Sequence, residues 1–98
     1  MAIVSVSRWK ASAEQAQPLA REIAPIVKAA GARYFSCGPC YSGPDTGEFY
    51  VAITFPDWTA FGRAMQTLSA DPQYQRIYSE ALKVGELQDR SVIISEDL

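Results

Sequence analysis

The order of hydrophobic periods along the chain is the sequence feature that most restricts its fold. Stretches that alternate between apolar and polar residues indicate strands, whereas an apolar residue at every third or fourth position indicates a helix. The order read in this way is strand, helix, strand, strand, helix, helix, strand. The predicted strands are residues 3–9, 32–41, 48–55 and 90–95.

The start of the first helix has two competing signals. Ser12 followed by Gln15 fits a capping box, in which each residue bonds the other's backbone N–H. Pro18 is better suited to the first turn of a helix, so the predicted start lies nearer Gln17. Pro25 removes a backbone donor inside the helix and is expected to kink it.

The other helix ends carry clearer signals. Gly31 is expected to stop the first helix, and Gly85 the last one. Asp57 is placed to cap the second helix, and the Asp71-Pro72 pair is typical of the start of a third. Helical spacing predicts that the inward residues of this third helix are Tyr74, Ile77, Tyr78, Ala81 and Leu82.

This order predicts one ferredoxin-like α+β domain over residues 1–98, a βαββαβ sandwich with an extra helix before the last strand. Both main helices are expected on one side of an antiparallel sheet. The predicted helix-facing residues are Val4, Val6, Phe49, Val51, Ile53, Phe55, Val92 and Ile94. The predicted open face holds Ser5, Ser7, Trp9, Tyr50, Ala52, Thr54, Ser91 and Ile93.

One segment, from Phe49 to Tyr78, joins a strand to a capped helix and then to the run Ala-Asp-Pro-Gln-Tyr-Gln. With the element order of the whole chain, this segment resembles the dimeric α+β barrel superfamily, near the antibiotic-biosynthesis-type monooxygenases. The resemblance implies a homodimer whose two sheets pair face to face. It also implies ligands in the cleft between sheet and helices or in the barrel.

The same resemblance separates the functions within the superfamily. Haem-degrading members share an Asn, Trp and His set, and this chain has Trp9 and Trp58 but neither Asn nor His. The expected function is therefore cofactor-free oxygenation of a hydrophobic or aromatic metabolite, with Tyr, Glu or Arg assisting proton removal. The alternative is a non-catalytic binding or regulatory subunit of the same fold.

Cys37-Gly38-Pro39-Cys40 has the letters of the thioredoxin active site. A redox cysteine of that kind needs a helix N-terminus to stabilise its thiolate, and here a turn rich in Gly and Pro follows instead. We therefore expect structural thiols, with Cys37 titrating near the ordinary value of about 8.5. The alternatives are an oxidation-sensitive pair, for which the spacing permits a local disulfide, or a metal site completed by a second copy.

Three aromatic residues are candidates for an interface or a pocket. Trp9, Tyr34 and Tyr50 combine an apolar body with a polar tip and are predicted to lie on the sheet. Such residues suit either a dimer interface or a ligand pocket, and the interface is the favoured interpretation.

Two further candidates have a structural explanation beside the functional one. Trp58, with Phe61 and Met65, forms an apolar stripe at helical spacing that core packing explains. Glu48 is a candidate base, although a cross-strand charge pair with Arg33 is the favoured explanation for it.

The composition limits the partners and cofactors. The net charge is −2 and the basic residues are scattered, so we expect no nucleic-acid partner. No apolar run is long enough to span a bilayer and no signal peptide is evident, so a cytoplasmic protein is expected. We expect no haem, flavin or tightly bound metal, because the chain lacks His and has no glycine-rich loop before a helix. The ligand that we expect is a small hydrophobic molecule in a cleft that opens at Pro25.

Overall fold

The structure has the element order that the sequence predicts. The computed structural model describes residues 1–98. Its four strands form one antiparallel sheet in the order β2-β3-β1-β4. The elements are β1 (Ala2–Lys10), α1 (Ala13–Ala29), β2 (Tyr34–Pro39), β3 (Phe49–Phe55), α2 (Trp58–Ser69), α3 (Pro72–Val84) and β4 (Glu86–Ser95). The predicted ferredoxin-like α+β fold is therefore confirmed.

The first helix starts earlier than predicted. Ser12 is its N-cap, and the Ser12 Oγ accepts a hydrogen bond from the backbone N–H of Gln15 at 3.2 Å. The Ser12 cap therefore decides the start, although the Gln15 Oε1 accepts from the Ser12 hydroxyl at 3.3 Å and not from its backbone N–H, so only half of the capping box forms. Pro18 falls in the second turn. The helix also continues through Pro25 to Ala29, because packing against the sheet compensates for the missing backbone donor.

The other two helices start where their caps predict. The Asp57 side chain accepts from the backbone N–H of Ala60 at 2.8 Å. Asp71 accepts from Gln73 at 2.8 Å and from Tyr74 at 3.1 Å. These bonds satisfy donors that a helix start leaves free, so the short polar side chains fix both boundaries locally.

Strand β4 is longer than predicted, because it begins at Glu86, directly after the helix-ending Gly85. The register between β1 and β4 shifts between Arg8 and Trp9. That irregularity breaks the alternation of side chains between the two faces of β4. The sequence pattern therefore indicates a strand only from residue 90 onward.

Strand β1 presents the opposite face to the helices from the one predicted. Ile3, Ser7 and Trp9 are buried on the helix-facing side, where Ile3 pairs with Phe55 and Trp9 with Phe49. The alternate residues of β1, including the predicted core residues Val4 and Val6, lie on the open face. The predicted faces of β3 and β4 are correct, although Val92 and Ile94 stay largely exposed at the sheet edge.

The helices also leave some predicted inward residues at the surface. Leu82 of α3 is 52% exposed, while Trp58 and Met65 of α2 are 49% and 38% exposed. The buried positions of these helices are Ala64, Leu68 and Ile77. Core packing therefore explains Met65 and Trp58 only in part, because α2 contacts the core through Phe61, Ala64 and Leu68.

The helix-facing core divides into two clusters along the strands. One surrounds Ile3, Phe55 and Leu68, and the other surrounds Trp9 and Phe49. The second cluster lies where α1 and α3 meet the sheet, and it borders the cavity described below. No helix of the structure is long and apolar enough to cross a membrane.

Candidate functional site

A cavity of about 100 Å³ lies between α1, α3 and the helix-facing side of the sheet. Its wall is almost entirely apolar, and each of these elements contributes to it. Helices α1 and α3 form two sides of the wall through their inward residues. Residues from all four strands form the floor. The lining residues are Ser7, Trp9, Ala11, Ala16, Leu19, Ala20, Ile23, Val27, Phe35, Phe49, Val51, Ile53, Tyr74, Ile77, Tyr78, Ala81, Val84 and Arg90.

The polar groups of the cavity wall are concentrated on β1, α3 and β4. Ser7 and Arg90 are directly paired across β1 and β4, so their side chains are neighbours on the helix-facing side. The Ser7 Oγ accepts a hydrogen bond from the Trp9 Nε1–H at 3.0 Å. The Arg90 Nη2 donates to the Tyr78 Oη at 3.2 Å, and the guanidinium carbon lies 6.0 Å from the centre of that ring. We call Ser7, Trp9, Tyr78 and Arg90 the polar corner of the cavity.

Tyr74 extends the polar corner along α3. Its ring stacks on Tyr78 with 6.1 Å between the ring centres, and Tyr78 meets the Trp9 indole edge-on at 5.9 Å. Burial raises the pKa of the Tyr74 phenol above its ordinary value, while the nearby positive charge of Arg90 opposes that rise. Tyr74 is therefore a protonated hydrogen-bond donor at neutral pH, and not a base.

The cavity wall carries positive charge and no negative charge. Arg90 is its only charged residue, and no Asp, Glu or Cys contributes to the lining. Arg90 also forms no salt bridge within the chain. The wall can therefore donate hydrogen bonds and stabilise negative charge, but it offers no carboxylate or thiolate that would remove a proton.

The structure separates the residues that the sequence singled out. Trp9 lines the cavity, contrary to its predicted place on the open face. Tyr34, Tyr50 and Glu48 lie on the other side of the sheet or at its end, away from the cavity. Trp58 is half exposed on α2 and packs edge-on against Phe61.

Glu48 does not pair with Arg33 as predicted, because Arg8 binds it instead. The Arg8 Nη1 lies 2.9 Å from Glu48 and 3.0 Å from Asp45, and the Nη2 lies 2.7 Å from Asp89. The Tyr50 hydroxyl donates to Asp45 at 3.0 Å. We call Arg8 and its three carboxylates the Arg8 cluster. It ties the loop before β3 to β1 and β4, and no three His, Cys, Asp or Glu side chains are placed to hold a metal ion.

The cysteines lie outside any thioredoxin-like setting. Cys37 lies within β2 opposite Val51, and the backbone of Cys40 continues the pairing with Glu48, so no helix follows the motif. Burial raises the pKa of the Cys37 thiol, and the charge of Arg21 only partly opposes this. The expected ordinary pKa is thus corrected upward.

A local disulfide does not fit this extended backbone. Gly38 and Pro39 lie between the cysteines, and three extended steps of ~3.3 Å place the two Cα atoms roughly 10 Å apart. A disulfide requires Cα atoms within about 7 Å of each other. Both cysteines are free thiols in the structure.

Sequence reasoning missed most of the polar corner. The alternation along β1 predicts that Ser7 lies on the open face, and no sequence pattern indicates a functional role for Arg90. Tyr74 and Tyr78 were recognised as inward residues at helical spacing, but only as core. An i, i+4 pair of tyrosines on an inward face is the one signal that could have indicated a polar site there.

The ferredoxin-like α+β fold of the chain is shared by solved structures that include antibiotic-biosynthesis monooxygenases and NIPSNAP proteins, which confirms at the level of the fold the resemblance seen in the sequence. SnoaB from Streptomyces nogalater, a cofactor-independent oxygenase studied as a variant with one asparagine replaced by alanine, aligns with a TM-score of 0.76 and 11% identity. The alignment covers 99% of this chain and 95% of SnoaB.

Two other solved structures are similar. Rv0793 from Mycobacterium tuberculosis has a TM-score of 0.68 and 13% identity, covering 100% of this chain and 98% of its own. A NIPSNAP domain protein from Burkholderia xenovorans has a TM-score of 0.70 and 17% identity, covering 96% and 94%. At these identities the likeness concerns the fold.

The sequence itself identifies a narrower family. The model of the family described as "Domain of unknown function (DUF6854)" matches residues 3–94, and the chain belongs to that family. A comparison with curated protein sequences gives no match.

Proposed function

We propose that this protein is a cofactor-independent oxygenase that acts on a small hydrophobic or aromatic metabolite. The observation that carries the proposal is the nearly all-apolar cavity with one cationic corner, in a fold shared with the cofactor-independent oxygenase SnoaB. An apolar wall excludes water from a reactive intermediate, and a fixed positive charge stabilises an anionic one.

The chemistry requires a substrate that can itself become an anion, since the wall offers no carboxylate base. The substrate loses a proton from an acidic C–H or O–H group to solvent at the cavity mouth, and Arg90 stabilises the negative charge. The anion transfers one electron to O₂, the two radicals combine to form a C–O bond, and the resulting peroxide anion takes up a proton from solvent to give a hydroperoxide. Where that carbon bears a second hydrogen, the hydroperoxide loses water, so that a CH₂ group and O₂ give a carbonyl and H₂O.

The cavity volume bounds the substrate. A cavity of about 150 Å³ lined by apolar residues accommodates benzene. The cavity in this structure is about 100 Å³, so without movement of its walls it accepts a group smaller than one aromatic ring. A one-ring substrate fits with a modest outward movement of α1 or α3, whereas a polycyclic one would require the core to open.

The test is oxygen consumption with one-ring and two-ring hydroquinones and naphthols, with no added metal or flavin. We expect one substrate class to give enzyme-dependent uptake of one O₂ per product. Ala20→Leu fills the cavity and should abolish the uptake, while Ala29→Leu, an exposed change on the same helix, should leave it intact. Equal activity in the two variants, or none with any substrate in the wild type, would contradict the proposal.

We also propose that the protein is a homodimer joined through the open face of the sheet. The support is the apolar set that this face leaves uncovered, which includes Val4, Val6 and Ile93, and the dimeric arrangement that the resemblance implies. Ile93 is 48% exposed, and Ile94, on the opposite face of the same strand, is 62% exposed.

This adjacent pair provides a matched control. Ile93→Glu places a charge on the proposed interface and should shift the protein to a monomer in light scattering. Ile94→Glu adds the same charge to the other face and should leave the dimer intact. A monomeric wild type, or dissociation caused only by Ile94→Glu, would contradict the proposed interface.

A further inference from the structure

The polar corner contains hydrogen-bond donors whose acceptors are missing. The Ser7 Oγ accepts from Trp9, which leaves the Ser7 hydroxyl hydrogen without an acceptor in the chain. The Tyr74 hydroxyl makes no side-chain hydrogen bond, and Arg90 donates only to Tyr78. A buried or half-buried donor is stabilised by a partner, so the complement of this corner is a ligand rich in acceptors.

The charge of the corner is also uncompensated. Arg90 lies at the exposed mouth of the cavity, and the residues facing it from β1 and α3 are Ser7, Tyr74 and Tyr78. None of these side chains is acidic. Attraction between a guanidinium and an oxyanion is strongest where water is partly excluded, as it is beside an apolar wall.

We infer that the polar corner binds the anionic oxygen of a small apolar ligand, with Arg90 as the charge-recognising residue and the hydrophobic part of the ligand in the cavity. This inference rests on the proposed function in taking the cavity as the substrate site and Arg90 as the group beside the substrate's negative charge. It restricts the substrates to those that carry a carboxylate, enolate or phenolate on a body of at most one ring. A neutral compound offers no negative charge to the Arg90 guanidinium, and a cation is repelled by it.

Benzoate and benzamide are a suitable probe pair, because they have nearly the same shape and differ in charge. We expect benzoate to bind the wild-type protein with a millimolar Kd, as is usual for a ligand with so few heavy atoms. Benzamide should bind at least tenfold more weakly. The measurement is a titration followed by backbone amide NMR shifts, performed under nitrogen so that no turnover occurs.

Three variants locate the preference. Arg90→Gln should weaken benzoate about tenfold or more and bring the benzoate-to-benzamide ratio close to one. Arg90→Lys should restore part of the preference, because it keeps the charge and loses the planar fork. Arg63→Gln removes an exposed charge from α2 that does not line the cavity, and it should leave the ratio unchanged.

The site is refuted if wild-type protein shows no saturable shift with benzoate, if it binds benzamide equally well, or if Arg90→Gln keeps the preference. These outcomes are separable from the oxygenase proposal. Charge preference without oxygen uptake leaves an anion-binding site and removes the oxygenase. Oxygen uptake that Ala20→Leu abolishes, without charge preference, retains the oxygenase and removes this assignment.

Discussion

Two arginines on neighbouring strands of the sheet have opposite surroundings. Arg8 points to the open face and contacts three carboxylates, those of Asp45, Glu48 and Asp89. Arg90 points to the helix side, contacts a tyrosine hydroxyl and has no carboxylate partner. The strands β1 and β4 are directly paired, so the two arginines differ in their surroundings because their side chains lie on opposite faces of the sheet.

This contrast separates a structural charge from an available one. The hydrogen bond to Asp89, together with the charges of Asp45 and Glu48, raises the pKa of Arg8 even further above its ordinary range. Arg8 thus has its interactions satisfied within the fold, and it fixes the loop before β3. Arg90 donates only to the Tyr78 hydroxyl, so most of its N–H groups are available to a ligand at the cavity mouth.

The largest expected effect comes from Arg8→Gln. The substitution leaves three carboxylates close together without a cation, so we expect it to lower the free energy of unfolding through their mutual repulsion. Arg90→Gln should change that free energy little. Urea denaturation at neutral pH compares the two variants.

Salt provides the control for this comparison. High NaCl screens repulsion between the remaining carboxylates, so it should recover part of the loss in Arg8→Gln and little in Arg90→Gln. Equal stability of the two variants would show that Arg8 is not the structural partner of the acidic loop.

The next effect concerns the buried side of the polar corner. Ser7→Ala removes the acceptor of the Trp9 indole N–H, and an unsatisfied buried donor costs roughly 1–3 kcal/mol. Ser5→Ala, on the same face of β1 and without such a bond, should cost less. Thermal or urea unfolding measures both, and a smaller loss for Ser7→Ala than for Ser5→Ala would argue against the hydrogen bond.

A smaller effect is expected from Tyr78→Phe, which removes the hydroxyl that accepts from Arg90 and retains the ring. Stability should fall by less than about 1 kcal/mol, as for a typical single hydrogen bond. The benzoate-to-benzamide ratio should decrease severalfold, because the guanidinium is less well positioned. If the ratio is unchanged while stability falls, Tyr78 has only a structural role.

The smallest effect is a pH dependence from Tyr74. Its raised pKa means that the folded protein holds the phenolic proton more tightly than the unfolded chain does. The resulting stability is complete below about pH 10, the unfolded-state pKa of tyrosine, and is lost as the pH rises through the folded-state value. Wild-type protein should therefore lose more stability than Tyr74→Phe between neutral and strongly alkaline pH. Parallel urea curves at both pH values test this.

Local signals determined much of the fold from the sequence. The element order, the Asp57 and Asp71 caps and the glycine helix stops are set by residues a few positions apart, so one sequence is enough to recognise them. The turn after Cys40 was likewise correct, because Gly and Pro exclude a helix there. The inward Tyr74 and Tyr78 also followed from helical spacing.

The cavity depended on interactions that connect distant parts of the chain. In β1 the alternating Val and Ser residues favour one face, but the larger Ile3 and Trp9 occupy the other. A strand has a period of two residues, so choosing between these faces moves every side chain at once. Packing against Phe55 and Phe49 favours the face with the larger residues, and the Trp9 indole makes burial of Ser7 tolerable by bonding it. Only the tertiary structure could decide this balance, and with it the place of Arg90 beside Ser7.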